Sequence, residues 1–166
     1  EFNEKHYPLM TKSIKDIYEL TRKILKQNIK SSFKSYAELL IDGFSTNEKE
    51  LKDYSSLGLK INAKAYKFFI TNFIINTEKH SGFEESNRDK NKLKITFFLD
   101  KGKINLIIKN NGRPFKKGLN RQDFITAGYT TNQIKGEGLG GNQIEAIANL
   151  FNVDDWSLIN EPNDEY

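Results

Sequence analysis

A glycine-rich segment between Asn110 and Asn142 limits the folds that this chain of 166 residues can adopt. Seven of the eleven glycines fall in it, and the run GEGLGG at 136–141 leads directly into a helix predicted from about Asn142 to Phe151. Bare backbone amides and the positive end of a helix then converge at one place, an arrangement that binds anions such as phosphate. The segment therefore predicts a phosphate-binding loop, and the alternative is a plain hinge, since glycine-rich loops also serve as hinges.

Two common phosphate-binding loops are alternatives for this run. Gly136, Gly138 and Gly141 have the spacing of the dinucleotide-binding fingerprint, and Glu161 lies near the expected acidic position about 20 residues on. However, the preceding TAGYTTNQIK does not read as a buried strand, and the five residues after Glu161 are too few to complete a doubly wound sheet. No Lys-Ser or Lys-Thr pair ends the run, which excludes a P-loop.

Hydrophobic periodicity divides the chain into two predicted regions. Residues 1–54 read as an N-terminal helical extension, with an amphipathic helix over 11–30, a second over 33–42 that ends at Gly43, and a polar loop or helical turn over 44–54. Residues 55–166 read as one domain of mixed helices and strands. Its predicted elements are a strand over 56–61, a buried helix capped by Asn62, strands over 93–99 and 104–109 joined by a turn, and a last strand over 156–160.

Composition excludes several kinds of site. There is no cysteine, and the two histidines, His6 and His80, nearly exclude zinc. No apolar run reaches the roughly 20 residues that a membrane span needs. We therefore expect a cytoplasmic protein or the cytoplasmic part of a membrane sensor. Because the sequence starts at Glu1 and not at Met, we expect it to be part of a longer chain. The charge of +4 comes from scattered lysines without interleaved aromatics, so no nucleic-acid partner is expected.

Three polar residues form a stripe on the apolar helix. Asn72, Asn76 and Lys79 stand at i, i+4 and i+7 and therefore share one face. Buried amides cost about 1–3 kcal/mol each unless they are hydrogen-bonded. An asparagine oxygen directed at Mg²⁺, with a lysine one turn on, would hold a polyphosphate. The alternative is that the asparagines cap a neighbouring loop while Lys79 reaches solvent, and the stripe alone leaves both readings open.

A further polar group, Asn110-Asn111-Gly112, directly follows the predicted strand over 104–109. By itself this group is typical of a turn.

Taken together and in order, the three segments resemble the boxes of the GHKL ATPase superfamily, which includes gyrase, heat-shock chaperone, histidine kinase and mismatch-repair ATPases. NFIINTEKHS at 72–81 resembles the N box, NNGRPF at 110–115 the first glycine box, and GEGLGG the second. The stretch from Asp123 to Gly141, with Phe124 and the Thr130-Thr131 pair, is similar to the phenylalanine box and lid. The similarity covers roughly residues 55–160.

The resemblance implies a Bergerat-type fold, an α+β two-layer sandwich in which helices cover one face of a mixed sheet. ATP would lie between the N-box helix and the lid, with Asn76 as the Mg²⁺ ligand. The implied catalytic residues are Asn72, Asn76 and Lys79. The implied cofactor-binding residues are Asn76, Lys79, Asn110, Gly112, Thr131, Gly136, Gly138, Leu139 and Gly140. The strand that normally closes this sheet has no counterpart before Tyr166.

Two positions depart from the pattern of the superfamily. Asn110 stands where an aspartate reads adenine; its amide oxygen can still accept from the adenine amino group, but without a charge. Asn72 stands where the hydrolytic members keep a glutamate base, and an amide cannot take a proton from water. We therefore expect slow hydrolysis, which favours the kinase branch. His80 belongs to the N box and His6 lacks the surroundings of a phosphoacceptor, so the acceptor is expected outside this chain.

The sequence thus predicts an ATP-binding catalytic domain of histidine-kinase type, acting on Mg·ATP and a phosphoacceptor in another part of the chain or in another protein. One alternative is an ATP-gated conformational module that clamps a partner or forms a homodimer. A second alternative, motivated by Asn110, is a degenerate GHKL scaffold that binds no nucleotide.

Overall fold

The computed structural model describes residues 2–28, 33–41, 44–45, 57–100, 103–126 and 140–159. The helices are α1 (Ile14–Asn28), α2 (Ala63–His80), α3 (Arg121–Ile125) and α4 (Gly140–Leu150). The strands are β1 (Met10–Ser13), β2 (Lys34–Ile41), β3 (Phe44–Ser45), β4 (Gly58–Ile61), β5 (Lys92–Asp100) and β6 (Lys103–Asn110). A 3₁₀ turn over Glu85–Asn87 lies between α2 and β5.

The described strands form two sheets. The larger has the order β3-β2-β5-β6, in which β2 is parallel to β5 and the other pairs are antiparallel. The smaller sheet pairs β1 with β4. The predicted mixed sheet and the predicted hairpin of β5 and β6 are therefore confirmed.

The core lies between the larger sheet and the helices. Ile95 of β5 is fully buried and pairs with Ala37 of β2 and Ile108 of β6, which places these three side chains on the face that the helices cover. Ile17 of α1 and Ile70 of α2 belong to the same buried cluster. The opposite face is more open: Tyr36 and Ile107 are 37% and 42% exposed. Helices thus cover one face of the sheet, as the fold class predicted.

The N-terminal region differs from the prediction. The expected helix over 33–42 is wrong, because Lys34–Ile41 is a strand at the interior of the larger sheet. A short apolar run fits a helix or a strand equally well by periodicity, and pairing with β5 decides the outcome. The predicted helix over 11–30 is present from Ile14 to Asn28, but Met10–Ser13 pairs with β4 instead. Gly43 and the predicted boundary at 54/55 lie outside the described residues.

Residues from before and after that boundary share one core. The Tyr66 hydroxyl of α2 lies 2.7 Å from the Thr21 hydroxyl of α1, and both side chains are buried. Burial raises the pKa of Tyr66, an effect that the hydrogen bond to Thr21 opposes in part. The helix α1 is therefore packed into the same unit as α2.

Helix α2 begins as predicted and is less buried than predicted. The Asn62 side chain caps it by accepting hydrogen bonds from the backbone N–H groups of Lys64 and Ala65. Complete burial is wrong, because Phe68 and Ile75 are 41% and 36% exposed. The helix therefore has one core face and one outer face, and its two asparagines, Asn72 and Asn76, are half-buried.

Residues 156–159 form no strand, so the predicted last strand is wrong over that part; the Trp156 indole N–H instead donates to Glu145 at 2.6 Å. Among the described helices, none combines the length and the apolarity that crossing a membrane requires.

Candidate functional site

Those predicted site residues that the structure describes lie along the C-terminal half of α2, which contacts the first turn of α4 at one place and the end of β6 at another. Helix α2 packs against α4 and carries Asn72 and Asn76, both half-buried. Asn110 ends β6. The helix α2 therefore links two groups of residues, which we call the Asn76 end (Asn72, Asn76, Gly140, Gln143) and the Asn110 end (Ser81, Asn110, Gly112, Arg113).

At the Asn76 end, an amide side chain faces the start of a helix. A Cβ placed on Gly140 would lie 3.2 Å from Nδ2 of Asn76, so this side chain rests directly against the first residue of α4. The first N–H groups of a helix have no partner within it and attract anions. The arrangement can therefore hold a phosphate group between an amide and a helix N-terminus.

The second amide at this end has a partner that sequence reasoning missed. Asn72 Nδ2 donates a hydrogen bond to Oε1 of Gln143 at 3.4 Å. Gln143 lies three residues after Gly140, on the first turn of α4, and this position inside the predicted helix was the only sequence signal for it. The contact connects α2 to α4 at the place where the stripe on α2 was predicted to act.

Lys79, the third member of the stripe, is exposed on the last turn of α2.

At the Asn110 end, one amide oxygen accepts two hydrogen bonds. Oδ1 of Asn110 accepts from the backbone N–H of Gly112 at 2.9 Å and from the Ser81 hydroxyl at 3.1 Å. The backbone N–H of Arg113 donates to the Ser81 carbonyl at 2.8 Å. Both lone pairs of this oxygen are therefore used by donors of the protein itself, and its predicted contact with adenine stays a prediction.

Residue 112 must be a glycine, because its backbone lies too close to Ser81 for a side chain to fit. A Cβ at this position would lie 2.2 Å from Cβ of Ser81 and 2.7 Å from its carbonyl oxygen. Ser81 caps α2 and is 6% exposed. The absence of a side chain at residue 112 thus lets the turn after β6 contact the end of α2. Ser81 was within the quoted N-box segment but had no predicted role.

The start of α4 is held by α3 and by the segment that follows α4. A Cβ on Gly141 would lie 1.7 Å from the carbonyl oxygen of Phe124, so α3 and α4 touch through backbone atoms. Glu145 of α4 accepts from Arg121 Nη2 at 3.0 and 3.1 Å and from the Trp156 indole. The Arg121 guanidinium also lies 4.7 Å from the Trp156 ring centroid. These contacts set the position of Gly140 relative to Asn76.

Four predicted loop residues lie outside the described part of the chain: Thr131, Gly136, Gly138 and Leu139. Their roles stay predictions. Within the described residues, no group of three or more His, Cys, Asp or Glu side chains could hold a metal ion. Asn76 Oδ1 is a single neutral oxygen donor, which suits a Mg²⁺ ion that arrives with phosphate oxygens and water as its other ligands.

Comparison with known proteins agrees with this geometry at the level of the fold. The structure is similar to the catalytic domain of histidine kinase ThkA, solved in a nucleotide-free form, with a TM-score of 0.59 at 16% identity over 86% of this chain and 81% of that one. A second nucleotide-free form of that domain gives a TM-score of 0.52 at 16% identity, over 84% and 79% of the two chains. No family model and no curated protein matches the sequence.

The chain therefore has the fold of histidine kinase catalytic domains. This confirms the α+β fold that the three sequence boxes implied.

Proposed function

We propose that this chain is an ATP-binding catalytic domain of histidine-kinase type, which binds Mg·ATP between α2 and α4 and transfers the γ-phosphoryl group to an acceptor outside the chain. The observation that carries the proposal is the contact of the Asn76 side chain with the first residue of α4. The likeness in fold to a histidine kinase catalytic domain supports it.

The distance between the two ends along α2 suits a nucleotide. Asn72 and Ser81 are nine residues apart on α2, which is roughly 14 Å along the helix axis. That length spans a nucleoside triphosphate whose phosphates lie at the start of α4 and whose base lies at the Asn110 end. The amides of Gly136, Gly138 and Gly140, with Leu139 between them, would wrap the phosphates, and Thr131 and Lys79 would add polar contacts.

The chemistry proposed for the Asn76 end is positioning. Asn76 would hold a Mg²⁺ ion through one oxygen, and the ion would supply positive charge that neutralises the phosphates. Asn72 is no general base, and its amide is turned toward Gln143. Water is therefore activated poorly, and efficient transfer requires an acceptor that is itself a good nucleophile. Slow release of phosphate from ATP follows from this arrangement.

Calorimetric titration of a non-hydrolysable ATP analogue, with and without Mg²⁺, tests the proposal. We expect binding that is at least about tenfold stronger with Mg²⁺, because the ion joins Asn76 to the phosphates. Inorganic tripolyphosphate with Mg²⁺ should compete for the same site. If neither the ATP analogue nor the GTP analogue binds at millimolar concentration, this proposal fails. The alternative of a degenerate scaffold that binds no nucleotide then replaces it.

A second candidate function uses the same site without transfer. The hydrogen bond between Asn72 and Gln143 joins α2 to α4 at the proposed phosphate site, so a bound triphosphate that replaced it would change how the two helices are held together. ATP would then act as a conformational ligand for a partner protein. The two functions differ in whether γ-labelled phosphate ever leaves ATP for a protein acceptor in the presence of the full-length chain and its partners.

A further inference from the structure

We propose that the Asn110 end presents a hydrogen-bond donor to the base, so that the site prefers a 6-oxopurine nucleotide, with hypoxanthine or guanine as its base, over ATP. This inference rests on the proposed nucleotide site between α2 and α4 and concerns the base: Mg·ATP still binds the site, but less tightly than a 6-oxopurine nucleotide does.

The orientation of the Asn110 amide is fixed by an obligatory donor. A backbone N–H can only donate, so the side-chain atom 2.9 Å from the nitrogen of Gly112 is the oxygen Oδ1. The Ser81 hydroxyl donates to the same oxygen at 3.1 Å. With both lone pairs of Oδ1 in use, the groups that the Asn110 amide can offer to a ligand are the two hydrogens of Nδ2.

The surroundings resist a rotation of this amide. Exchanging Oδ1 and Nδ2 would place an NH₂ group against the N–H of Gly112, which is a contact between two donors. Ser81 cannot move away easily, because it is 6% exposed and its carbonyl accepts from Arg113 at 2.8 Å. Gly112 is held close to Ser81 by the contact that admits no side chain at residue 112. The hydrogen bonds to Oδ1 of Asn110 therefore fix Nδ2 as the group that this side chain offers to a ligand.

Purine bases differ at position 6, so the orientation of the Asn110 amide favours some bases over others. Adenine carries an amino group at position 6, which is a donor, whereas guanine and hypoxanthine carry an acceptor oxygen there. An Nδ2 group facing position 6 donates to the oxygen and opposes the amino group. A site that leaves polar groups unpaired against the wrong ligand discriminates against that ligand. A carboxylate at residue 110 would keep the bond to Gly112 with one oxygen and offer the other as an acceptor.

Competition titrations with the Mg²⁺ complexes of the β,γ-imido analogues of ATP, ITP and GTP test this inference. ITP differs from ATP only at position 6 and the adjacent ring nitrogen, so the ratio of these two affinities isolates the contact in question. In the native chain we expect the ITP analogue to bind about tenfold more tightly than the ATP analogue, the change that one hydrogen bond typically produces. Asn110→Asp should reverse the ratio.

Two further variants show whether the ratio of affinities depends on the Asn110 end. Ser81→Ala frees one lone pair of Oδ1 and should bring the ratio toward one, without adding a charge. Asn105→Asp, which makes the same change at an exposed position of β6, should leave the ratio unaltered.

The outcomes separate the two proposals. Tighter binding of the ATP analogue by the native chain, or a ratio that Asn110→Asp does not change, overturns the inference while leaving a nucleotide site in place. If no analogue binds and Mg·tripolyphosphate does not bind either, the proposed function fails and the base preference fails with it.

Discussion

The Asn76 end and the Asn110 end of the candidate site are built differently. At the Asn110 end, Ser81, Asn110, Gly112 and Arg113 are joined by three hydrogen bonds of 2.8–3.1 Å and by a contact too close for any side chain at residue 112. At the Asn76 end, the hydrogen bond described between α2 and α4 is the longer one from Asn72 to Gln143, at 3.4 Å.

This difference indicates a division of roles between the two ends. Groups that are already paired keep their geometry before a ligand arrives, and a preorganised contact gives specificity at a low entropic cost. Weakly paired amides beside a helix N-terminus gain most from a ligand that brings charge. We infer that the Asn110 end selects the ligand and that the Asn76 end supplies most of the metal-dependent affinity.

The largest effect is expected from adding a methyl group at the Asn110 end. Gly112→Ala places a Cβ 2.2 Å from that of Ser81, so the turn and α2 must separate. We expect a loss of about 3 kcal/mol in the free energy of unfolding and nucleotide binding weakened at least about 100-fold. Urea denaturation and calorimetry measure the two quantities.

Gly118→Ala is the matched control for this substitution. Gly118 has a φ of +83° and no atom within 4 Å of its Cβ position, so the variant reports backbone strain without a steric contact. It should lose about 1 kcal/mol of stability and keep its nucleotide affinity. Equal losses of affinity in the two variants would argue against a special role for the Asn110 end.

The next effect concerns metal dependence at the Asn76 end. Asn76→Ala should reduce the affinity for the Mg·ATP analogue by about 10- to 100-fold and the metal-free affinity by much less, because the variant loses one Mg²⁺ ligand in addition to its amide contact with phosphate. Stability should change little, since Asn76 is only half-buried. Asn149→Ala, at an exposed position of α4, controls for loss of an amide. A variant in which Mg²⁺ still strengthens binding as in the native chain would contradict the assignment of Asn76.

A smaller effect is expected from the contacts that position α4. Glu145→Gln weakens the paired hydrogen bonds from Arg121 and should lower the free energy of unfolding by about 1–2 kcal/mol. Trp156 is the single tryptophan of the chain and donates to Glu145, so its fluorescence reports directly on this cluster.

The exposed pair of Arg22 and Glu19 on α1 provides the comparison for Glu145. Glu19→Gln should cost less than about 0.5 kcal/mol. If Glu145→Gln costs no more than this control and leaves the Trp156 fluorescence unchanged, α4 is positioned by other contacts.

The smallest effect is the coupling between Asn72 and Gln143. A double-mutant cycle with Asn72→Ala and Gln143→Ala should give a coupling energy of about 0.5 kcal/mol for unfolding, since the bond is long and both side chains are half-buried. A coupling above about 1.5 kcal/mol would mean that the Asn76 end is as strongly preorganised as the Asn110 end.

Local signals in the sequence predicted much of the fold. The cap at Asn62, the start of α2 and the hairpin of β5 and β6 depend on neighbouring residues, and they were predicted correctly. The strand β2 was missed because its place is set by a parallel pairing with β5, more than fifty residues away.

For the candidate site, too, the sequence indicates only what local spacing determines. The stripe on α2 follows from helical spacing, but the partners of its residues follow from how elements pack. Nothing in the local sequence indicates that Ser81 meets Asn110 or that Gln143 meets Asn72, since these pairs are 29 and 71 residues apart. The sequence did not predict that the Asn110 oxygen is paired within the protein for the same reason, because this pairing depends on Ser81 and Gly112 together.

The most direct test of the central claim is a titration of the ¹⁵N-labelled chain with the Mg²⁺ complexes of the ATP and ITP analogues, following side-chain amide signals by NMR. The account predicts that the signals of Asn72, Asn76 and Asn110 shift on nucleotide binding, while that of Asn105, on the open face of β6, stays in place. Removal of Mg²⁺ should reduce the shifts of Asn72 and Asn76 more than that of Asn110. Saturable binding that leaves these three signals unmoved would contradict the placement of the nucleotide along α2.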